Sequence, residues 1–471
     1  MSVVSEQKLS VTEKVGYATG DLAANLVFQT LMTFLAFFYT DIYKLPTATA
    51  TMLISTVGIG AALIINPVMG FIADRTNTKW GKFRPWILWT AIPFGVIAIL
   101  TFSTPDFGPQ GKVIYAFATY TLLLVVYAAN NLPYSALSGV LTGSMSERNS
   151  LSSYRFVAVM LAQFIVQVFM YPIVEIVGGG DQAAGFGKVM TSLAILGSCL
   201  LLVTFFTTKE RIVPKADQVS SVFQDVEDMA SNRPWVIILA LTTMIFLGLA
   251  LKGGMYIYFF ENYMNEKSMG DFFQGLGFSN IENPSAYAFG IFNGGGIIMM
   301  IVGILFSKNL ADRFGKKATF GGALFVATLF VMAIYLVPSE AVLMVFIVQI
   351  LHGFFYGITV PILWAMVADV ADFSEWRTGR RATAIVFSAM MIGLKLGLTF
   401  GQTVLTATLG LYGYDATLAV QSPETIQGIR FGVSVLASVP FLLGCGLLLI
   451  YEIDKNMEKT IERELAERRQ A

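Results

Sequence analysis

Charged and metal-binding residues are scarce in this chain. Only 13% of its 471 residues are charged, about half the share that a soluble protein of this length needs to cover its surface. The two cysteines, Cys199 and Cys445, lie inside apolar runs, so we expect neither a disulfide framework nor a metal site. The single histidine has no nucleophile–base pair around it, which argues against a membrane enzyme. The net charge of zero implies no nucleic-acid partner, and we expect no cofactor.

Apolar sequence is what the chain has in excess. Hydrophobic residues make up 55% of it, in runs of roughly 20 residues that can each cross a bilayer as a helix. The short alternating segments of a membrane β-barrel do not occur. We therefore predict an all-α, multi-pass membrane protein. Its twelve transmembrane helices are expected at about 15–40, 49–73, 86–104, 113–141, 153–177, 187–207, 234–261, 285–307, 318–337, 341–366, 383–412 and 426–452.

A polar segment divides these spans into two groups of six. With both termini in the cytoplasm, the inner segments carry 23 of the 31 Lys and Arg residues and the outer segments carry five. This positive-inside bias predicts that both termini are cytoplasmic. The charged tail is a helix candidate, but we expect it to be solvated. The predicted domains are an N-terminal six-helix bundle over 1–207, a cytoplasmic linker over 208–233, a C-terminal six-helix bundle over 234–452 and a cytoplasmic tail over 453–471.

A polar and basic stretch, Phe71–Trp86, lies between two apolar spans and reads FIADRTNTKWGKFRPW. A partial copy, LADRFGKKATF, occurs at Leu310–Phe320 and repeats ADR followed closely by Lys and Gly. Asp312 follows Asp74 by about half the chain length. A charged hinge repeated at this distance indicates duplication of a membrane unit.

Twelve spans in two sixes, with ADR hinges after spans two and eight, resemble the major facilitator architecture. Further motifs are spread over nearly the whole chain: GYATGDLAANL and FFYTDIY in span one, INPVMGFIADRTNTKWGKFRPW from span two, YAANNLPYSAL in span four, YRFVA in span five and ADVADFSEWRTGRRATA after span ten. Together they resemble the motifs of the glycoside–pentoside–hexuronide:cation symporter family, whose members are melibiose permease-like. The resemblance implies a monomeric symporter of the inner membrane that moves a sugar by alternating access.

Charges inside a membrane are costly, so each indicates a partner, a water-filled cavity or a function. Lys252 in span seven and Lys395 in span eleven are expected to face a central cavity. For Lys252, snorkelling to the outer surface is an equal alternative. We expect His352, in span ten, to be a hydrogen-bonded core residue rather than a proton relay.

The resemblance assigns the sugar site. Asp21 matches the family's sugar-binding acid on helix one, and Arg155 matches its helix-five arginine. Both groups form directional, charge-assisted hydrogen bonds to hydroxyls. The other predicted substrate-binding residues are Asn25, one turn from Asp21, the two lysines Lys252 and Lys395, Asn131 in place of a family aspartate, and the flanking rings of Tyr127 and Tyr134.

The sequence departs from the family pattern at its sodium site. Span two of that pattern supplies two aspartates four positions apart, and here those positions are Ala62 and Asn66. Ala128 replaces a hydroxyl-bearing cation ligand. Because a Na⁺ site needs several hard oxygen ligands, we expect no Na⁺ coupling and no metal there. A proton on Asp21 is then the leading candidate for the coupling ion.

The balance of buried charge bears on the substrate. Asp21 opposes three cations, Arg155, Lys252 and Lys395, and an excess of positive charge attracts an anion. This favours a hexuronide or another acidic sugar over a neutral glycoside or pentoside. A lysolipid-type facilitator of the same fold is a further alternative, but the buried charges favour a polar solute.

The hinges and the run Ala368–Arg381 are expected to form a gate. We predict salt bridges between the two halves that close the inner side and must break for it to open; the alternative for the run is a solvated loop. The predicted gate residues are Asp74, Arg75, Arg84, Asp312, Arg313, Asp369, Asp372, Glu375, Arg380 and Arg381.

Overall fold

Twelve helices long and apolar enough to cross a membrane are found among the residues that the structure describes. The structure is a computed structural model, and it describes residues 8–142, 145–211, 232–278, 281–378 and 383–470. The regular structure in these ranges is helical. The predicted all-α fold with twelve transmembrane helices is confirmed.

The chain divides into two compact units, Met1–Asp217 and Gln218–Ala471, called unit 1 and unit 2 below. The spans of unit 1 are α1 Val11–Ile42, α2 Thr47–Ala73, α3 Arg84–Thr101, α4 Pro109–Leu141, α5 Ser150–Gly178 and α6 Gln182–Thr207. Those of unit 2 are α7 Arg233–Asn262, α8 Pro284–Phe314, α9 Lys316–Leu336, α10 Val342–Arg377, α11 Met390–Leu411 and α12 Pro423–Leu449. Two further helices of unit 2 are a loop helix, Glu266–Gly275, and a tail helix, Lys455–Gln470.

Polar caps and prolines set where several spans begin. Asn232 accepts a hydrogen bond from the backbone N–H of Trp235 and so caps α7. Asn283 caps α8 and Ser422 caps α12 in the same way, and a proline follows each of them directly. Such caps satisfy N–H groups that have no partner within the helix, and proline fits the first helical position.

Glycines allow α8 and α10 to pack closely. A Cβ added at Gly303 would lie 2.0 Å from the carbonyl oxygen of Phe354, and one at Gly357 would lie 2.1 Å from that of Met300. Small residues let two helix backbones approach in this way within a membrane. The contact fixes the position of α10 within unit 2.

The tail helix packs on unit 2, so the expectation of a solvated tail is wrong. Ile461 and Leu465, one turn apart, are only 4% and 5% exposed. Trp376 of α10 donates from Nε1 to Glu464 at 2.6 Å, and its carbonyl accepts from Arg468 at 2.8 Å. The physical reason is an apolar stripe with a spacing of four residues, which the high charge of the segment conceals.

Candidate functional site

Asp21 of α1 and Arg155 of α5 form an ion pair within unit 1. Arg155 Nε lies 2.5 Å from Asp21 Oδ2, and the two side chains are 28% and 5% exposed. Asn25, one turn along α1, donates to the backbone carbonyl of Asp21 at 2.9 Å and lies 3.5 Å from its Oδ1. The structure thus brings together three predicted substrate-binding residues, one of them 134 positions from its partner.

Two tyrosines hold the guanidinium in place. Tyr17 and Tyr134 are fully buried, and their rings stack with centroids 4.7 Å apart. Each hydroxyl donates to the backbone carbonyl of the other residue, at 3.0 and 2.7 Å. The guanidinium carbon of Arg155 lies 5.8 Å from the Tyr17 ring and 5.3 Å from the Tyr134 ring. Tyr134 therefore positions Arg155 in this structure and has no open face for a sugar ring.

Tyr17 was missed by sequence reasoning, although it lies one helical turn before Asp21. Helical spacing alone could have placed both residues on one face of α1. What it could not supply is the partner ring on α4, which is 117 positions away.

The other two predicted residues of α4 are half-buried. Tyr127 packs its ring on Phe28 of α1 and Phe94 of α3, with centroids 5.9 and 6.3 Å apart. Asn131 lies one turn further along, beside the buried Asn130, whose amide donates to a hydroxyl of α3 at 2.7 Å. The ring contacts of Tyr127 are packing contacts, and sugar contacts at Tyr127 and Asn131 stay predictions.

The α2 positions of the family's sodium acids lie at a local change of helix geometry. The backbone is π-helical over Ala61–Ile65, and such segments frequently occur at functional sites. Ala62 is 2% exposed, and the Asn66 amide donates to the carbonyl of Ala61 at 2.8 Å. Among the described residues, no group of three or more His, Cys, Asp or Glu side chains is placed to hold a metal ion. The absence of Na⁺ coupling stays a prediction.

Lys252 is buried in unit 2. It is 7% exposed, and its Nζ is hydrogen bonded to Nε2 of His352 on α10. Lys252 therefore does not snorkel to the surface in this structure. His352 is 3% exposed and hydrogen bonded at both ring nitrogens, which confirms the prediction of a hydrogen-bonded core histidine. Lys395 lies half-buried on α11.

A carboxylate that the sequence did not reveal holds the first hinge. Glu210, three residues beyond α6, accepts hydrogen bonds from the backbone N–H groups of Lys82, Phe83 and Arg84 at 2.8, 2.7 and 2.8 Å. Gly81 has φ of 112°, and a Cβ there would lie 2.4 Å from the carboxyl carbon of Glu210. A negative charge is favoured here because the first N–H groups of a helix lack internal partners.

The second hinge has a corresponding contact of opposite sign. Gly315, with φ of 86°, alone joins α8 to α9. Lys455 at the start of the tail helix donates to the carbonyls of Asp312 and Arg313, at 2.8 and 3.0 Å. A cation is favoured at the carboxyl end of a helix. In each unit, a residue shortly after the last span thus stabilises a helix end at the hinge.

Other predicted gate residues make contacts within their own unit. Asp369 of α10 pairs with Lys316 at 2.6 Å. The Arg75 guanidinium lies 3.6 Å from the centroid of the Phe71 ring. Arg84 donates from Nη2 to a carbonyl near the end of α6 at 2.8 Å. A lock between the two halves stays a prediction.

The run after span ten is helical over much of its length, which corrects the expected end of that span near 366. Asp372 and Glu375 are half-buried on the last turns of α10, which continues to Arg377. The helix continues because backbone hydrogen bonds do not require a membrane around them. Three predicted groups lie outside the described part of the chain: the Asp74 side chain, Arg380 and Arg381.

The fold and the site define a membrane transporter of the major facilitator kind. The defining features are twelve spans in two six-helix units, a hinge after the second and eighth spans, and a buried ion pair between spans. The sequence model of the family described as MFS/sugar transport protein matches residues 16–281 and 278–455. The chain belongs to this family.

Similar proteins cover nearly the full chain. The inner membrane symporter YicJ of Escherichia coli (strain K12) is 33% identical over 466 residues, which is 98% of this chain and 96% of that protein. The isoprimeverose transporter of Lactiplantibacillus pentosus is 28% identical over 458 residues, 96% of this chain and 91% of that one. A solved bacterial homolog of the human lysosomal transporter Spinster, inward-facing and unoccupied, has a TM-score of 0.67 at 12% identity, with 96% and 98% of the two chains covered. That last likeness shows the fold alone.

These findings establish what kind of protein this is. It is a sugar symporter of the major facilitator kind, not an enzyme, and a multi-pass protein of the inner membrane.

Proposed function

We propose that this chain is a proton-coupled symporter of an anionic sugar, such as a hexuronide, and that it works as a monomer by alternating access. The observation that carries the proposal is the distribution of buried charge. Asp21 is paired with Arg155, whereas no Asp or Glu of the described ranges forms an ion pair with the buried Lys252. A buried cation without an acid attracts an anionic ligand.

Arg155 and Asp21 supply the groups for sugar hydroxyls. Arg155 uses Nε for the ion pair, and it is 28% exposed, so its terminal nitrogens can donate to a ligand. Asp21 Oδ1 and the Asn25 amide add an acceptor and a donor on the same turn of α1. Charge-assisted hydrogen bonds of this kind give both affinity and orientation.

Proton coupling is supported by the ligands at the family's cation site. The Ala62 side chain has no ligand atom, and Asn66 offers a neutral amide oxygen in place of a carboxylate. The position therefore lacks the negative charge that stabilises a bound Na⁺. A proton on Asp21 would remove the negative charge that pairs with Arg155. Proton uptake at Asp21 would then be linked to rearrangement of the sugar-binding pair.

A second candidate is a neutral glycoside or pentoside. It is favoured by the relative named as an isoprimeverose transporter, which matches 96% of this chain. The same Arg155–Asp21 pair would serve a neutral sugar, so the two candidates differ in whether the substrate carries a negative charge.

A ligand-induced thermal-shift comparison of two matched sugars separates the candidates. Methyl β-D-glucuronide and methyl β-D-glucoside differ only in the carboxylate at C6. We expect the glucuronide to give the larger stabilisation, with no change on adding Na⁺, and Arg155→Gln to abolish the response to both. A glucoside that stabilises the protein more, or competes more strongly, would refute the anionic substrate.

A further inference from the structure

Lys252 and His352 form a buried, hydrogen-bonded pair that the sequence did not predict. Lys252 Nζ is hydrogen bonded to His352 Nε2, and His352 Nδ1 lies 3.0 Å from the carbonyl oxygen of Ala327 on α9. The Tyr256 and Tyr356 rings flank the ammonium, with centroids 5.7 and 5.8 Å away. His352 is the only histidine of the chain.

The hydrogen bonds determine where the protons are. A carbonyl can only accept, so His352 Nδ1 carries a hydrogen, and Nε2 of the neutral ring accepts from Lys252. If the ring and the amine were both protonated, two donors and two positive charges would face each other without an acceptor. The pair therefore holds either one positive charge or none.

No counter-ion accompanies this pair within the part of the chain described. No carboxylate oxygen lies within 4.0 Å of Lys252 Nζ or of the His352 ring nitrogens. The titratable residues in contact with the pair are Tyr256 on α7 and Tyr356 on α10, whose rings flank Lys252, and the Tyr256 hydroxyl donates to the Gln349 amide oxygen at 3.4 Å. The helices α8, α9, α11 and α12 add no acid at this distance. A single charge is thus costly unless an anion binds with it.

We propose that the Lys252–His352 pair is a proton-binding site of the transport cycle. Lys252 Nζ takes one proton from water on the side where the acidic sugar binds, and it returns that proton to water on the side where the sugar leaves. Uptake converts the amine to an ammonium and keeps the hydrogen bond to His352. At Asp21, by contrast, uptake would break the ion pair with Arg155. The inference rests on the proposed proton-coupled transport of an anion, and it places the single coupling proton on Lys252 in unit 2 in place of Asp21.

Purified protein in proteoliposomes tests the inference with two transport readouts. The probe is radiolabelled methyl β-D-glucuronide. Counterflow at equal pH measures exchange, which needs no net proton movement. Accumulation under a gradient of one pH unit measures coupling, and one proton per monoanion permits about tenfold accumulation.

We expect His352→Gln to keep counterflow but to reduce accumulation from about tenfold to about onefold. Lys252→Met also removes the cation that attracts the anion, so we expect it to weaken counterflow as well as accumulation. Lys308→Met, which removes an exposed lysine of the same unit, is the matched control and should accumulate like the wild type. Pair variants that accumulate like the wild type would overturn the inference. A wild type that exchanges without accumulating would instead overturn the proposed coupling, and the pair's role with it.

A measurement on the unmodified chain keeps the test decisive if the variants fold poorly. Because there is one histidine, ¹⁵N-histidine labelling gives the signal of His352 alone. We expect the tautomer with hydrogen on Nδ1, and a change in the Nε2 signal when methyl β-D-glucuronide is added. The opposite tautomer, or an Nε2 signal unaffected by the probe, would overturn the inference.

Discussion

Replacing Asp21 with asparagine should leave the guanidinium of Arg155 without its carboxylate. Removing one partner of a fully buried ion pair costs about 3–5 kcal/mol. Asp21 is 5% exposed but Arg155 is 28% exposed, so water can compensate part of the lost interaction. We therefore expect Asp21→Asn to lower the free energy of unfolding by about 2–3 kcal/mol. The Tyr17 and Tyr134 rings remain and limit the loss further.

A double-mutant cycle measures the coupling directly. Asp21→Asn combined with Arg155→Gln removes both charges at similar volume, and we expect it to recover about 1–2 kcal/mol relative to the sum of the single changes. The assay is SDS titration in detergent micelles, followed by circular dichroism. Tyr134→Phe is the control, because it removes only one hydrogen bond to a backbone carbonyl. Strictly additive single changes would refute the view that the two side chains stabilise one another.

Glu210→Ala should cost about 2–3 kcal/mol in the same titration because three N–H groups lose their acceptor; a value near zero would contradict the hinge contact. Gly303→Ala should cost more than about 3 kcal/mol because its Cβ meets a backbone carbonyl, whereas Gly295→Ala, whose nearest neighbour would be 3.5 Å away, should cost under about 1 kcal/mol by thermal unfolding. Leu465→Ala should weaken docking of the tail helix, seen as at least about tenfold faster hydrogen exchange of its amides; unchanged exchange would contradict docking. A hydrogen bond from the Lys14 ammonium lowers the pKa of Glu147. The Lys14–Glu147 contact therefore stabilises the fold above the ordinary pKa of 4.5, and this stabilisation is lost as pH falls through the lowered pKa. The difference in melting temperature between wild type and Glu147→Gln should shrink on acidification, and a pH-independent difference would refute this.

The fold could be predicted because each membrane span has a local signal in the sequence. A bilayer requires about 20 apolar residues at each crossing, and all twelve predicted spans overlap helices of the structure. The ends of α8 and α10 could not be predicted in the same way. Both helices continue through charged residues, such as Arg313 and Asp369, that hydropathy assigns to loops.

The site could be predicted only in part. Asp21 and Arg155 were identified by resemblance, and the structure joins them. The partner of Lys252 is 100 positions away, and the N–H groups that bind Glu210 are 126 to 128 positions away. Such contacts depend on how helices pack, and no periodicity within one segment records that. The apolar stripe of the tail helix is present in the sequence, but the high charge of that segment made a solvated tail the expected structure.

Uptake of radiolabelled methyl β-D-glucuronide into proteoliposomes tests the central claim most directly. A pH gradient or a Na⁺ gradient is imposed in turn, with methyl β-D-glucoside as the neutral comparison. The account predicts that the glucuronide accumulates with the pH gradient, does not respond to Na⁺, and is preferred over the glucoside. Accumulation of the glucoside driven by Na⁺, with no response of the glucuronide to pH, would contradict it.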